Sequence, residues 1–282
     1  MLTDRSQATV TLARRVTFSC GHRYWLADRT PEENRTLFGL YASPFSHGHN
    51  YALEASFAGQ IDPVTGMVIN IKDLDAILHE RVLGSMDLRS LNDEVEYFRD
   101  HCPTVENILA YIRSQLQQLP PAVRLTRLKL EETPLLYGEL YCDEFKDMLT
   151  ITRIYEFAAS HRLHSDQLTQ AQNDELFGKC NNPMGHGHNY VLEVTVGGEP
   201  NPTTGMIVDI TALDHVVNTE IVDRYDHKNL NADLPEFHGL VPTSEVVAHH
   251  IFKALQNSVP AKLVRVRLHE TARNIFEISV GA

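Results

Sequence analysis

Two short histidine clusters carry the strongest chemical signal in the chain. His186 and His188 flank one glycine in CNNPMGHGHNY (residues 180–190), and His47 and His49 do the same in YASPFSHGHNY (residues 41–51). In an extended strand residues i and i+2 point to the same side, so each pair can offer two imidazoles to one ion. The intervening glycine lets another backbone approach closely. A third histidine, His161 or His22, stands 25 residues earlier at the end of a strand-like segment, within reach if the two strands pair. Three neutral imidazoles leave one tetrahedral position open, the pattern of a catalytic rather than a structural zinc. The two clusters differ in one telling place: Cys180 opens one, and Tyr41 occupies the matching position of the other.

The elements that must position these residues repeat as well. Positions 22 and 161, 47 and 186, 66 and 205, 87 and 226, and 106 and 245 all differ by 139. The chain is therefore a tandem duplication of a unit of about 140 residues, each long enough for a domain of its own. The boundary is expected within YCDEFKDM, giving domains 1–142 and 143–282, where strand-like alternation gives way to charge. ATVTLARRVTF and LTITRIYEFAAS read as strands, as do NYALEASFAG and NYVLEVTVGG. The turns DPVTG and NPTTG follow. Helices are expected over IKDLDAILHERV and ITALDHVVNTEIV, and again after Thr104 and Thr243, both natural N-caps with an acidic residue in the first turn. RLTRLKLEET and KLVRVRLHET return to strand. Each half thus reads as ββααββ, an α+β unit with an antiparallel sheet and helices on one face.

Composition bounds the function. A net charge of −12 argues against a protein that coats nucleic acid. No apolar run reaches the length of a membrane span, and the opening MLTDRSQATVTLARR lacks an apolar signal core, so a cytoplasmic address is expected. Cys20, Cys102, Cys142 and Cys180 have neither metal-type CxxC spacing nor the density of a disulfide framework.

In the C-terminal half FAASHRL, CNNPMGHGHNY, GMIVDI, YDHKNLN, PTSE and HET occur in an order that resembles the 6-pyruvoyl-tetrahydropterin synthase family and its relative 6-carboxy-tetrahydropterin synthase. The resemblance implies the tunnelling fold (T-fold), one zinc per half held by His161, His186 and His188 or by His22, His47 and His49, and a lyase acting on 7,8-dihydroneopterin triphosphate with loss of triphosphate. It implies that Cys180 is the catalytic base, that Asp226 and His227 form a proton-relay pair, that Glu270 anchors the pterin, and that Thr243, Ser244 and Glu245 line the pocket. The six-residue step from Cys180 to His186 resembles the pyruvoyl class more than the carboxy class. Cleavage of the side chain by a carboxy-type enzyme, as on the route to deazapurines such as queuosine, and a pterin-binding regulatory role are the alternatives.

The N-terminal half keeps its histidines and the anchor, Glu132, but departs elsewhere: Tyr41 stands for the cysteine, Leu88 for the histidine after Asp87, and Asn70 for Asp209. Leucine moves no protons, and a tyrosine is a poor base at neutral pH. The N-terminal half is therefore expected to bind metal without the family reaction. In the resembled family each site takes its cysteine from one unit and its Asp-His pair from a neighbour. Repeats segregated into two stacked rings would keep these together, so a homotrimer of two-domain chains, a pseudo-hexamer, is expected.

Overall fold

The structure is a computed structural model that describes residues 9–142 and 147–280. Most of the expected domain junction, residues 143–146, lies outside the described residues. Two compact units are present: residues up to Ile151 together with Gly197–Ile207, and Thr152–Val196 together with Val208 onward. The division follows the duplication with one exception. The turn region of the C-terminal repeat, Gly197–Ile207, belongs to the first unit.

In the first unit strand β1 (Thr9–His22) leads to helix α1 (Pro31–Phe38), strand β2 (His47–Gln60), helix α2 (Ile71–Leu78), helix α3 (Val105–Gln115), and strands β3 (Val123–Thr133) and β4 (Leu136–Tyr141). β1 pairs with β2, β2 with β3 and β3 with β4, all antiparallel. Along β2, Tyr51, Leu53, Ala55 and Phe57 are fully buried, and on β3 Leu128 and Leu130 join them. α3 lies on β3 and β4, so closely that a Cβ on Gly138 would sit 2.6 Å from Val105 Cγ1. Truncating a fully buried leucine such as Leu53 to alanine costs about 2–5 kcal/mol.

The C-terminal repeat follows the same plan with β5 (Met148–His161), α4 (Gln170–Phe177), β6 (His186–Gly197), α5 (Ile210–Val217), α6 (Ser244–Leu255), β7 (Lys262–His269) and β8 (Ile275–Ser279). β6 lies between β5 and β7, and β8 closes the order beside β7. Leu192 and Val194 of β6, Val266 and Leu268 of β7, and Val247 and Ile251 of α6 are fully buried.

The expected caps are present: the hydroxyls of Thr104 and Thr243 accept from the N–H groups of Asn107 and Val246. Sequence reading missed α1 and α4, which intervene between the first two strands of each repeat. Their signal was available, since Thr30 with Glu33 and Thr169 with Gln172 form capping boxes. One ion pair recurs in both units, Arg14 with Asp75 and Arg153 with Asp214, each bidentate, tying the first strand to the helix that leads to the Asp-His corner. No helix among the described residues is long and apolar enough to cross a membrane.

Candidate active site

Strand register builds the histidine clusters. β1 and β2 pair so that His22 faces His47 and Cys20 faces His49, which brings the third histidine onto the His-x-His pair as expected. The glycines are required by this closeness: a Cβ on Gly48 would lie 3.1 Å from the Cys20 carbonyl, and one on Gly187 3.3 Å from that of Ala159. In each unit one ligand nitrogen from each of the three histidines lies within 4.8 Å of the others.

The donor set fits a metal ion. The Nδ1 of His22 lies 2.7 Å from the Pro103 carbonyl, and that of His161 lies 2.8 Å from the Pro242 carbonyl. A carbonyl only accepts, so the proton is on Nδ1 and Nε2 keeps a lone pair aimed at the cluster. His22 Nε2 comes within 3.1 Å of His47 Nε2. The buried Nε2 atoms of His49, His161 and His188 find no hydrogen-bond partner among the described residues. Burial lowers the imidazole pKa of His22, His47, His49, His161 and His188, which keeps the rings neutral, as ligands must be.

For His22 the depression is large, to about 3 from an ordinary 6.5. In metal-free protein the unfolded chain takes up a proton below pH 6.5 that the folded chain refuses until near pH 3. The unfolded state then binds more protons, so stability is full above pH 6.5 and declines as pH falls toward 3. Urea midpoints of the metal-free protein are expected to fall over this window, and less steeply for His22→Asn. Parallel profiles for the two proteins would remove His22 as the cause.

Carboxylates flank both clusters. Glu270 Oε1 lies 3.9 Å from His161 Nε2 and 3.8 Å from His188 Nε2. It accepts from the Ser244 hydroxyl at 2.6 Å and the Asn274 amide at 2.9 Å. Burial pushes the Glu270 carboxyl up, but the bonds from Asn274 and Ser244 and the adjacent His188 and His161 outweigh it and hold it below the usual range. Asn274 was not singled out in the sequence, and nothing there marks it. Glu132 stands equivalently, within 4.0 Å of His22 and 3.9 Å of His49, and accepts from the Tyr51 hydroxyl at 3.2 Å.

Asp226 and His227 form a pair, His227 Nδ1 lying 2.8 Å from Asp226 Oδ2. Asp226 also accepts from the Ala158 N–H at 2.7 Å, the leading reason its pKa lies below the usual carboxylate value. The His227 backbone is left-handed, with φ +57°, and Leu88 at the same point of the first unit has φ +58°. Such a conformation costs a side-chain-bearing residue about 1–2 kcal/mol. It is held by the 2.6 Å bond from the His227 N–H to the Ala158 carbonyl, and from Leu88 to Ser19. His227 is 83% exposed and lines, with Ser160, His188 and Asn229, an open groove of about 600 Å³.

The structure thus brings His161, His186, His188, Glu270 and Ser244 together, and His22, His47, His49 and Glu132 likewise. Thr243 serves as the helix cap, and Glu245 is exposed. Cys180 is half-buried and does not line the groove that holds His227. The Arg162 guanidinium is directed to Asn181 and His164.

Each half of the sequence matches known proteins. The family described as 6-pyruvoyl tetrahydropterin synthase matches residues 11–141 and again residues 150–280. A 6-pyruvoyl tetrahydrobiopterin synthase of Poecilia reticulata is 47% identical over 126 residues, 44% of this chain and 86% of that protein. The human protein of the same name is 46% identical over 126 residues, 44% of this chain and 87% of its own length. The solved 6-pyruvoyl tetrahydropterin synthase of Caenorhabditis elegans is 42% identical, covers 48% of this chain and 96% of its own, and superposes with a TM-score of 0.46. The chain belongs to the 6-pyruvoyl tetrahydropterin synthase family and carries that family's domain twice, as tandem T-fold repeats.

Proposed function

We propose that the C-terminal repeat is a zinc-dependent carbon–oxygen lyase that takes 7,8-dihydroneopterin triphosphate and eliminates triphosphate, and that the N-terminal repeat binds metal without performing this reaction. The observation that carries the reading is the contrast between two histidine clusters of the same geometry, one accompanied by Cys180, Asp226 and His227 and the other by Tyr41, Asp87 and Leu88.

His161, His186 and His188 would hold the zinc, which supplies Lewis-acid polarisation of substrate oxygens when bound. Glu270, kept ionised, accepts two hydrogen bonds from the amino and ring N–H groups of a pterin. Ser244 and Asn274 fix that carboxylate's orientation before the ligand arrives. Cys180 is the base that removes a carbon-bound proton from the side chain. The Nδ1–H of His227 donates to Asp226, so Nε2 is left as the atom that exchanges protons with substrate. The four free cysteines suit a reducing compartment, in keeping with a cytoplasmic location.

Incubation with dihydroneopterin triphosphate, followed by mass spectrometry, tests the reading. Triphosphate release with a pyruvoyl product is expected. Binding without release would make the protein a pterin binder, and a carboxy product would move it to the sister reaction.

A further inference from the structure

Arg23 and Arg162 stand at the same point of the two repeats, directly after the histidine that ends the first strand. Their backbones are held alike. The Arg23 N–H donates to the Asn92 side chain at 2.9 Å and the Asn92 amide donates back at 3.1 Å; Arg162 exchanges the same two bonds with Asn231 at 2.8 and 3.0 Å. From this common start the two guanidinium groups go different ways. Arg23 makes a bidentate pair with Asp93, both bonds at 2.7 Å, and this holds the Asp93 carboxyl below the usual carboxylate range. In the C-terminal repeat Ala232 stands at the position of Asp93. The Arg162 Nε–H donates instead to the carbonyl and the Oδ1 of Asn181, at 3.2 and 3.1 Å. Its Nη2 reaches the same Oδ1 at 2.9 Å and lies 3.1 Å from His164 Nδ1.

The target of Arg162 is the residue that follows Cys180. Asn181 is 3% exposed at the end of the turn Gly178–Asn181, and its amide donates onward to Asp174 of α4 at 2.7 Å. The cysteine turn is thereby tied on one side to the strand end beside His161 and on the other to the preceding helix. The N-terminal repeat has no such side chains: Ala42, Trp25 and Arg35 stand where Asn181, His164 and Asp174 do. Both repeats keep a backbone link here, from the Leu163 N–H to the Cys180 carbonyl in one and between Tyr24 and Ala42 in the other. The side-chain clamp is confined to the repeat that has the cysteine. A guanidinium prefers a carboxylate, which offers opposite charge and a matching fork, over a neutral amide. A carboxylate at position 232 would therefore draw Arg162 off Asn181, so the clamp depends on the alanine.

We propose that Arg162 is a positioning residue for Cys180: through Asn181 it fixes the turn that carries the thiol, and Ala232 leaves it available to do so. The backbone bond from Leu163 alone leaves rotation about it open, and the guanidinium supplies a second point of attachment one residue on. The effect on turnover rests on the reading of Cys180 as the base. In the N-terminal repeat the capture of Arg23 by Asp93 goes with a turn that carries Tyr41 and has no thiol to hold.

Ala232→Asp transplants the N-terminal arrangement into the catalytic repeat. Position 232 is exposed, so the side chain is accommodated and the melting temperature should stay at or above the wild-type value. With zinc-loaded protein and dihydroneopterin triphosphate, kcat is expected to fall about tenfold to a hundredfold, the cost of a misplacement on the order of 1 Å, with KM little changed. Amide exchange should quicken in the Gly178–Asn181 turn. The isosteric but uncharged Ala232→Asn should keep wild-type turnover. In an Arg162→Gln background kcat should already be low, and Ala232→Asp should lower it no further. Unchanged exchange in Ala232→Asp, a fall in kcat that persists in full in the Arg162→Gln background, a fall matched by Ala232→Asn, or a lowered melting temperature would each overturn the proposal. Faster exchange with wild-type turnover, in a protein that Cys180→Ala inactivates, would overturn it too, and would leave the reading of Cys180 standing. Wild-type turnover in Cys180→Ala would overturn that reading and the positioning role with it.

Discussion

Cys180→Ala is expected to lower turnover by about two to four orders of magnitude, the usual contribution of a positioned general base, while the metal content stays at the wild-type value. The side chain is half-buried at the end of the short helical turn Gly178–Asn181 and belongs to neither histidine cluster, so its loss removes no ligand. Its backbone carbonyl accepts from the Leu163 N–H at 2.9 Å, a bond that alanine keeps. The substitution therefore separates chemistry from structure. The chain already contains a parallel case, because Tyr41 occupies this position beside a histidine cluster of the same geometry. Steady-state kinetics on the metal-loaded variant is the measurement. Turnover near the wild-type level would assign the proton abstraction to another group.

Two metal ions per chain are expected, and the two clusters should be separable by mutation. His161→Ala should leave one metal per chain and little activity, whereas His22→Ala should leave one metal and retain activity. The asymmetry follows from the residues around each cluster, since only the C-terminal one has the cysteine, the histidine after aspartate and the Ser244–Glu270 bond. Both histidines are buried and bond a proline carbonyl through Nδ1. Each alanine therefore strands a buried acceptor, at a cost of about 1–3 kcal/mol. Circular dichroism should accompany the assay, and His22→Asn and His161→Asn serve where an alanine variant fails to fold. Elemental analysis after zinc loading gives the count. A single zinc per chain in the wild type would remove the N-terminal site, and loss of activity in folded His22→Asn would tie that site to catalysis.

The sequence alone determined the duplication, because an offset of 139 held through the histidines, turns and caps. It determined the histidine pairs too, since i, i+2 spacing on a strand fixes which side chains share a face whatever packs against it. The pairing of His22 with the His47 strand and the caps at Thr104 and Thr243 were legible for the same local reasons. The helices α1 and α4 were legible in their capping boxes but not read. Three features were decided only by tertiary structure. The left-handed backbone at His227 is held by a hydrogen bond to Ala158, 69 residues away, and Leu88 takes the same conformation through the same bond to Ser19. The Ser244 and Asn274 bonds that orient Glu270 join a helix start and a strand connection whose approach depends on packing α6 onto β7 and β8. The opposite fates of two turns with nearly the same sequence, Met206 buried and Met67 exposed, depend on where the chain places each of them. Local sequence fixes a turn's shape through its proline and glycine, but burial depends on what surface arrives beside it, and that surface is brought there by the fold.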